Sequence, residues 1–222
     1  MKRYRNTWFI SLIDAISKKQ LIICGVILLG FIVLAWQVVT QQLNAFDESF
    51  LKWLQETIPK TLLPFFKFFY FIGNAESSAI VVLVGLGVLC WKRYWKEAQA
   101  LAFASLGILI LIDQILKPLF GRIRPAPGLV EVDGKSFPSG HASGNFVLYF
   151  YLAFILSAQF PKLTPYLYGI ATTLLLVMGV SSLYLNVHWL TDLIGAYCVG
   201  FIWLTISLAL LKILDKKYTP LS

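Results

Sequence analysis

Charge is scarce in this chain. Of its 222 residues only 14% are charged while 58% are hydrophobic, and mean hydropathy is +0.74. Soluble domains carry roughly 45–50% apolar and about 25% charged residues, so a water-exposed globule is excluded and a membrane protein remains. Cysteine is scarce too: Cys24, Cys90 and Cys198 each fall in or beside a different apolar run, without metal-ligand spacing. That sets aside a disulfide framework or a zinc site and leaves three small core residues. Acidic residues number 11 against 19 lysines and arginines, a net charge of +8. Most of the basic residues flank apolar runs, so the surplus reflects membrane topology, and no nucleic-acid partner is expected. Internal repeats and low-complexity segments are missing. No apolar run is broken midway by Gly or Pro, as transporter sites tend to be.

Long apolar runs are what the chain does have. Six approach the ~20 residues that a helix needs to cross ~30 Å of hydrocarbon. They lie at about 21–40, 76–91, 97–116, 141–159, 165–187 and 190–211, the second being the shortest. The expected fold class is an all-α membrane protein of six transmembrane helices, with external interfacial helices between spans one and two, in one domain over 1–222. The first run is longer than a signal-peptide core and lacks a small-x-small cleavage site, so it reads as a retained span. Residues 1–20 are expected to form a cytoplasmic amphipathic tail, with a short surface helix over 6–17.

Residues 41–75 begin too polar and are too Pro-broken to cross. Phe46, Phe50, Leu51 and Leu54 have helical spacing, Pro59 and Pro64 punctuate the second half of the segment, and the aromatic residues suit a headgroup layer. With both termini cytoplasmic, twelve of the nineteen basic residues lie inside. Outside, Lys52, Lys60 and Lys67 are matched by Asp47, Glu48 and Glu56. A surplus between 117 and 135 needs another account.

The external loop 117–140 supplies one. Lys117, Arg122 and Arg124 concentrate positive charge there, and guanidinium forks match phosphate oxygens. Pro138-Ser139-Gly140-His141 then opens an apolar helix. Ser139 can cap it and Gly140 allows close backbone approach, so the segment is either a plain helix start or an anion nest. In SSLYLNVHWLTD, residues 181–192, His188 and Asp192 stand four apart. They form either a structural pair or an imidazole held by one nitrogen with the other free to attack.

Six-span topology brings these ends to one face, and that convergence favours phosphoryl transfer: a nucleophile, an acid, and donors for the phosphate oxygens. Two histidines and a carboxylate could ligate a metal, but the neighbouring cations would repel it, so no metal and no cofactor is expected. Asp113 and Lys117, also four apart, form an ion pair or leave the carboxylate in interfacial water. Asn186 and Trp189 flank the histidine.

In order, spacing and six-span setting, these motifs resemble the type 2 phosphatidic acid phosphatase superfamily, which includes bacterial lipid phosphatases and vanadium haloperoxidases. Lysine, six residues, then Arg-Pro matches Lys117 through Arg124-Pro125; Pro-Ser-Gly-His matches Pro138 to His141. The third motif, Ser-Arg, five residues, His, three residues, Asp, is matched by Ser181, His188 and Asp192. The resemblance implies that His188 attacks phosphorus, Asp192 orients it, and His141 protonates the leaving group and then activates water. It further implies that Lys117, Arg124, Ser139 and the Gly140 backbone hold the phosphate.

One position departs: Ser182 stands where the family has arginine. Losing such a donor costs about 10² to 10³ in rate. An engineered change, a naturally weak chain, or substitution by another cation such as Arg122 would each account for it. The resulting expectation is an integral lipid phosphatase of the plasma (inner) membrane with an external or periplasmic active site. Its substrate partner is a phosphomonoester or diphosphate lipid: phosphatidylglycerophosphate, phosphatidic acid or polyprenyl diphosphate. A lipid-linked phosphotransferase and a non-catalytic binder or transporter are the alternatives.

Overall fold

In hydrocarbon no water satisfies backbone N–H and C=O groups, so apolar runs close their hydrogen bonds within helices. A computed structural model describes residues 15–218. Helix α1 (Lys18–Val39) starts at a capping box in which Ser17 and Gln20 satisfy each other's backbone. Then come α2 (Asn44–Thr57), α3 (Leu63–Ile72) and α4 (Ala75–Trp91), the last capped by the Asn74 side chain. Helix α5 (Trp95–Leu109) runs on through a π-helical stretch, Ile110–Leu116, to a last turn at Lys117–Phe120. Helices α6 (Gly140–Gln159), α7 (Thr164–Tyr184) and α8 (Leu190–Tyr218) complete the bundle. The expected surface helix over 6–17 lies outside the described residues except for its last three.

Helices α1, α6, α7 and α8, and the continuous stretch Trp95–Phe120 that begins with α5, are each long and apolar enough to cross a membrane. The second expected span, at 76–91, is also the shortest in the structure. Helix α4 has only 17 residues and reaches crossing length together with the segment Lys60–Ile72, from which it is bent by 46°. By length and composition the bent pair counts as one further span, which brings the candidates to six. The carbonyl freed at the bend, Gly73 O, accepts from Asn145 Nδ2 at 2.8 Å. The fifth span ends at Tyr184 instead of 187 because Asn186 takes a left-handed turn (φ +57°).

Helix α8 packs against α6, α1 and α5, while α7 lies against α6 and α3. Small residues let the helices approach, as they do where lipid gives no hydrophobic drive. A Cβ on Gly107 would strike the Trp203 ring, and one on Gly195 would come within 2.7 Å of Phe137. Leu101, Ala104 and Ile108 of α5 meet Val147, Leu148 and Tyr151 of α6 in one core. A second core joins Leu51 and Leu54 of α2 to Phe66, Leu183, Leu185 and Leu193. Alternating helix directions put the end of α5, both ends of the loop 121–139, the end of α7 and the start of α8 at one end of the bundle. At the other end Lys96 and Asp215 pair at 2.8 Å.

Candidate active site

Helix α5 stops at Gly121, whose φ of +62° is the left-handed cap that glycine adopts without penalty. The loop beyond it is stitched to the other motifs by backbone bonds. Leu129 N donates to Leu185 O at 2.9 Å and Ser139 N to Asp192 O at 3.2 Å. Trp189 Nε1 donates to Ile123 O at 2.9 Å, and Asn186 Nδ2 to Pro127 O at 2.8 Å. These two side chains, from either side of His188 in the chain, thus hold the cationic loop against it.

His188 is 1% exposed. Its Nδ1 lies 3.3 Å from Asp192 Oδ2, and its Nε2 lies 3.1 Å from Arg124 Nη1. A guanidinium only donates, so Nε2 accepts and the ring proton sits on Nδ1, facing the carboxylate. The lone pair a nucleophile needs is therefore on Nε2. Burial pushes the imidazole below its ordinary range, with the Asp192 hydrogen bond and charge working the other way and Arg124 and Lys117 adding to the fall.

Asp192 also closes the first turn of α8. Its Oδ2 accepts from Trp189 N at 2.9 Å, as the third residue of a capping box does, and its Oδ1 accepts from Arg122 Nη1 at 2.7 Å. One carboxylate thereby starts a helix and holds a histidine.

Lys117, Arg124, Gly140, His141 and His188 line one cavity of about 400 Å³. Lys117 is steered by Asp113 at 2.6 Å, so of the two readings of that carboxylate the ion pair is the one formed. Arg124 Nη1 also donates to Val187 O at 3.0 Å. Burial pulls its guanidinium below the usual value, opposed by Tyr70, Asp192, Asp113 and Asp133, and it stays charged at neutral pH. Below this polar mouth the cavity wall is apolar, with Ala79, Val82 and Leu86 of α4, Leu106 and Leu109 of α5 and Leu148 of α6.

Three predicted site residues stand elsewhere. The Ser139 hydroxyl accepts from Ala142 N at 3.3 Å, so it caps α6 and lines a neighbouring small pocket. Ser182 lines that same pocket, its hydroxyl donating to Gly179 O at 2.8 Å. Arg122 does not line the cavity. Its guanidinium is bound to Asp47, Thr191 and Asp192 and lies 5.3 Å from the Trp189 ring centroid. Among the residues lining the cavity, the cations are Lys117 and Arg124.

Asp47 corrects the sequence reading. It does not balance surface lysines but is fully buried against Arg122 and Thr191, while Lys52 pairs with Glu56 at 3.9 Å. Its one sequence signal is its place on the inward stripe 47, 51, 54 of α2. Removing one member of a buried ion pair commonly costs about 3–5 kcal/mol.

Compared with known proteins, the chain matches the family model of the PAP2 superfamily over residues 98–215. It is 28% identical over 187 residues to phosphatidylglycerophosphatase B of Bacillus subtilis (strain 168), covering 78% of this chain and 87% of that one. It is 30% identical over 150 residues to lipid A 4'-phosphatase of Porphyromonas gingivalis, covering 61% of each. The crystal structure of the first transmembrane PAP2 type phosphatidylglycerolphosphate phosphatase, from Bacillus subtilis, matches with a TM-score of 0.75 at 25% identity, over 90% of this chain and 98% of that one.

Proposed function

The chain belongs to the PAP2 superfamily, and on that premise we propose that it hydrolyses the phosphomonoester of a glycerophospholipid, phosphatidylglycerophosphate foremost, through a phosphohistidine on His188. At the coarser level it is a multi-pass membrane protein and a lipid phosphatase of the PAP2 type. The observation that carries the finer reading is the shared cavity. Two cations and two histidines stand at its mouth and apolar side chains of three helices wall its depth, as a headgroup attached to a bilayer-borne tail requires.

In this reading His188 Nε2 attacks phosphorus while Lys117, Arg124 and the N-terminus of α6 take the phosphate oxygens. The ring becomes cationic as the N–P bond forms, and Asp192 beside Nδ1 stabilises it. His141 gives a proton to the departing oxygen. It then takes one from the water that splits the phosphohistidine, releasing inorganic phosphate. Ser182 leaves the phosphate one guanidinium short, and Arg122 is committed elsewhere. The termini are assigned to the cytoplasm and the site to the outer face of the inner membrane, on the distribution of lysine and arginine.

The test is phosphate release in detergent, with a chelator present, from phosphatidylglycerophosphate, phosphatidic acid, a lipid A phosphate and polyprenyl diphosphate. The chain is compared with Ser182→Arg and His188→Ala. Arginine at 182 is expected to raise turnover by about 10²-fold or more, and alanine at 188 to abolish it. Because the space beside Ser182 is small, the arginine form should also melt lower, by about 1–3 kcal/mol of stability. No release from any lipid by either serine or arginine forms would overturn the phosphatase reading. Release of a phosphorylated acceptor in place of free phosphate would make the chain a transferase.

A further inference from the structure

A fully buried carboxylate on α2 lies behind the nucleophile. Asp47 Oδ1 accepts from Thr191 N at 3.1 Å, and Oδ2 accepts from Thr191 Oγ1 at 2.5 Å and Arg122 Nη2 at 2.6 Å. The other arm of the same guanidinium donates to Thr191 Oγ1 and to Asp192 Oδ1, both at 2.7 Å. The remaining oxygen of Asp192 faces His188 Nδ1. Charges therefore alternate from Asp47 through Arg122 and Asp192 to the ring.

We propose that Asp47 and Arg122 are positioning residues for His188, acting through Thr191 and Asp192, so that α2 belongs to the catalytic apparatus as well as to the membrane interface. The inference rests on His188 being the nucleophile of the preceding reading. Two arguments carry it. First, Leu51 and Leu54 already hold α2 on the bundle by apolar contact, and burying two carboxylates with a guanidinium adds a desolvation cost that a simple anchor does not need. Second, the charge sum favours attack. With Asp47 in place, the buried set of Asp47, Arg122, Asp192 and His188 goes from one net negative charge to neutral as the imidazole becomes cationic. With asparagine at 47 it goes from neutral to one net positive charge, which a dry site disfavours.

The experiment uses the full chain in detergent and the variant Asp47→Asn, which keeps the shape and removes the charge. Two anions probe the site. Orthovanadate can form a bond to the ring nitrogen as a five-coordinate mimic of attacked phosphate; inorganic phosphate is held by the cations without that bond. Vanadate affinity should fall about ten-fold or more while phosphate affinity stays within about two-fold. With dioctanoyl phosphatidic acid as substrate, kcat should fall about ten-fold and KM stay within about two-fold.

Equal vanadate binding by the chain and by Asp47→Asn overturns the inference. So does a parallel loss of vanadate and phosphate, the result a merely structural link would give. A parent chain that binds neither anion overturns the phosphatase reading itself and the inference with it. Should Asp47→Asn not fold, Thr191→Val, which removes one donor to Asp47 and leaves both charges, should give the same split at about three-fold. Absence of that split also overturns the proposal.

Discussion

Which ring nitrogen of His188 holds the proton decides what the residue can do. Asp192 on one side and Arg124 on the other leave the lone pair on Nε2, the form that the proposed attack needs. The ring is faced by Asp192 on α8, Arg124 of the loop, Lys117 on α5 and His141 on α6. Burial lowers its pKa from the ordinary value of about 6.5, so it stays neutral into mildly acid solution. The acid limb of the kcat/KM profile should accordingly lie below about pH 6.5; a limb above that value would contradict the buried neutral nucleophile. Linkage sets the sign for stability. The unfolded chain takes up a proton near pH 6.5 that the folded ring resists, so stability declines as pH falls below that range. Ser182 is the other residue on which the proposed mechanism turns. Its hydroxyl is spent on Gly179 O, and the space beside it is about 10 Å³, bounded by Tyr70, His141 and Met178.

Helix α6 runs from the histidine site along the apolar cavity. His141 is on its first turn, and one turn further Asn145 donates to Gly73 O while accepting from Ser78 Oγ at 2.8 Å. The break between α3 and α4 is thereby tied to the helix that bears His141. Between them Gly144 lines the cavity, and a Cβ there would have no atom within 4 Å. Gly144→Leu should therefore fold and narrow the apolar wall. Its expected effect is a rise of about ten-fold in KM for a dioleoyl phosphatidic acid, with dioctanoyl phosphatidic acid within about two-fold. An equal rise for both chain lengths would mean that the tail does not lie along α6. The π-helical stretch of α5, which places Asp113 and Lys117 on the cavity, had no signature in ILIDQIL. Its residues suit an α-helix as well, and π-bulges recur at functional sites because they re-aim side chains.

The whole bundle has its charges sorted by end. Lys92, Arg93 and Lys96 lie at the α4–α5 turn, away from the end that holds Lys117, Arg124 and His188. On the proposed orientation, a membrane-impermeant maleimide should label Lys135→Cys in intact cells, in a background without the native cysteines. Lys92→Cys should react only after lysis. The reverse pattern would put the site in the cytoplasm.

By itself the sequence determined the helical membrane class, the reach of most spans, and the residues His188, Asp192, His141, Lys117 and Arg124 as parts of one place. Those signals are local: hydropathy over about twenty residues, a cap before a helix, and side chains one helical turn apart. Only the tertiary structure decided that α3 and α4 meet at a bend of 46°, that Arg122 is bound to Asp47 and Asp192 and does not line the cavity, and that Asp47 is fully buried. A buried charge is stable only beside a partner, and the partners of Arg122 come from α2 and α8, far from it along the chain. Which helix faces meet is set by packing across the bundle, and no short stretch of residues encodes it.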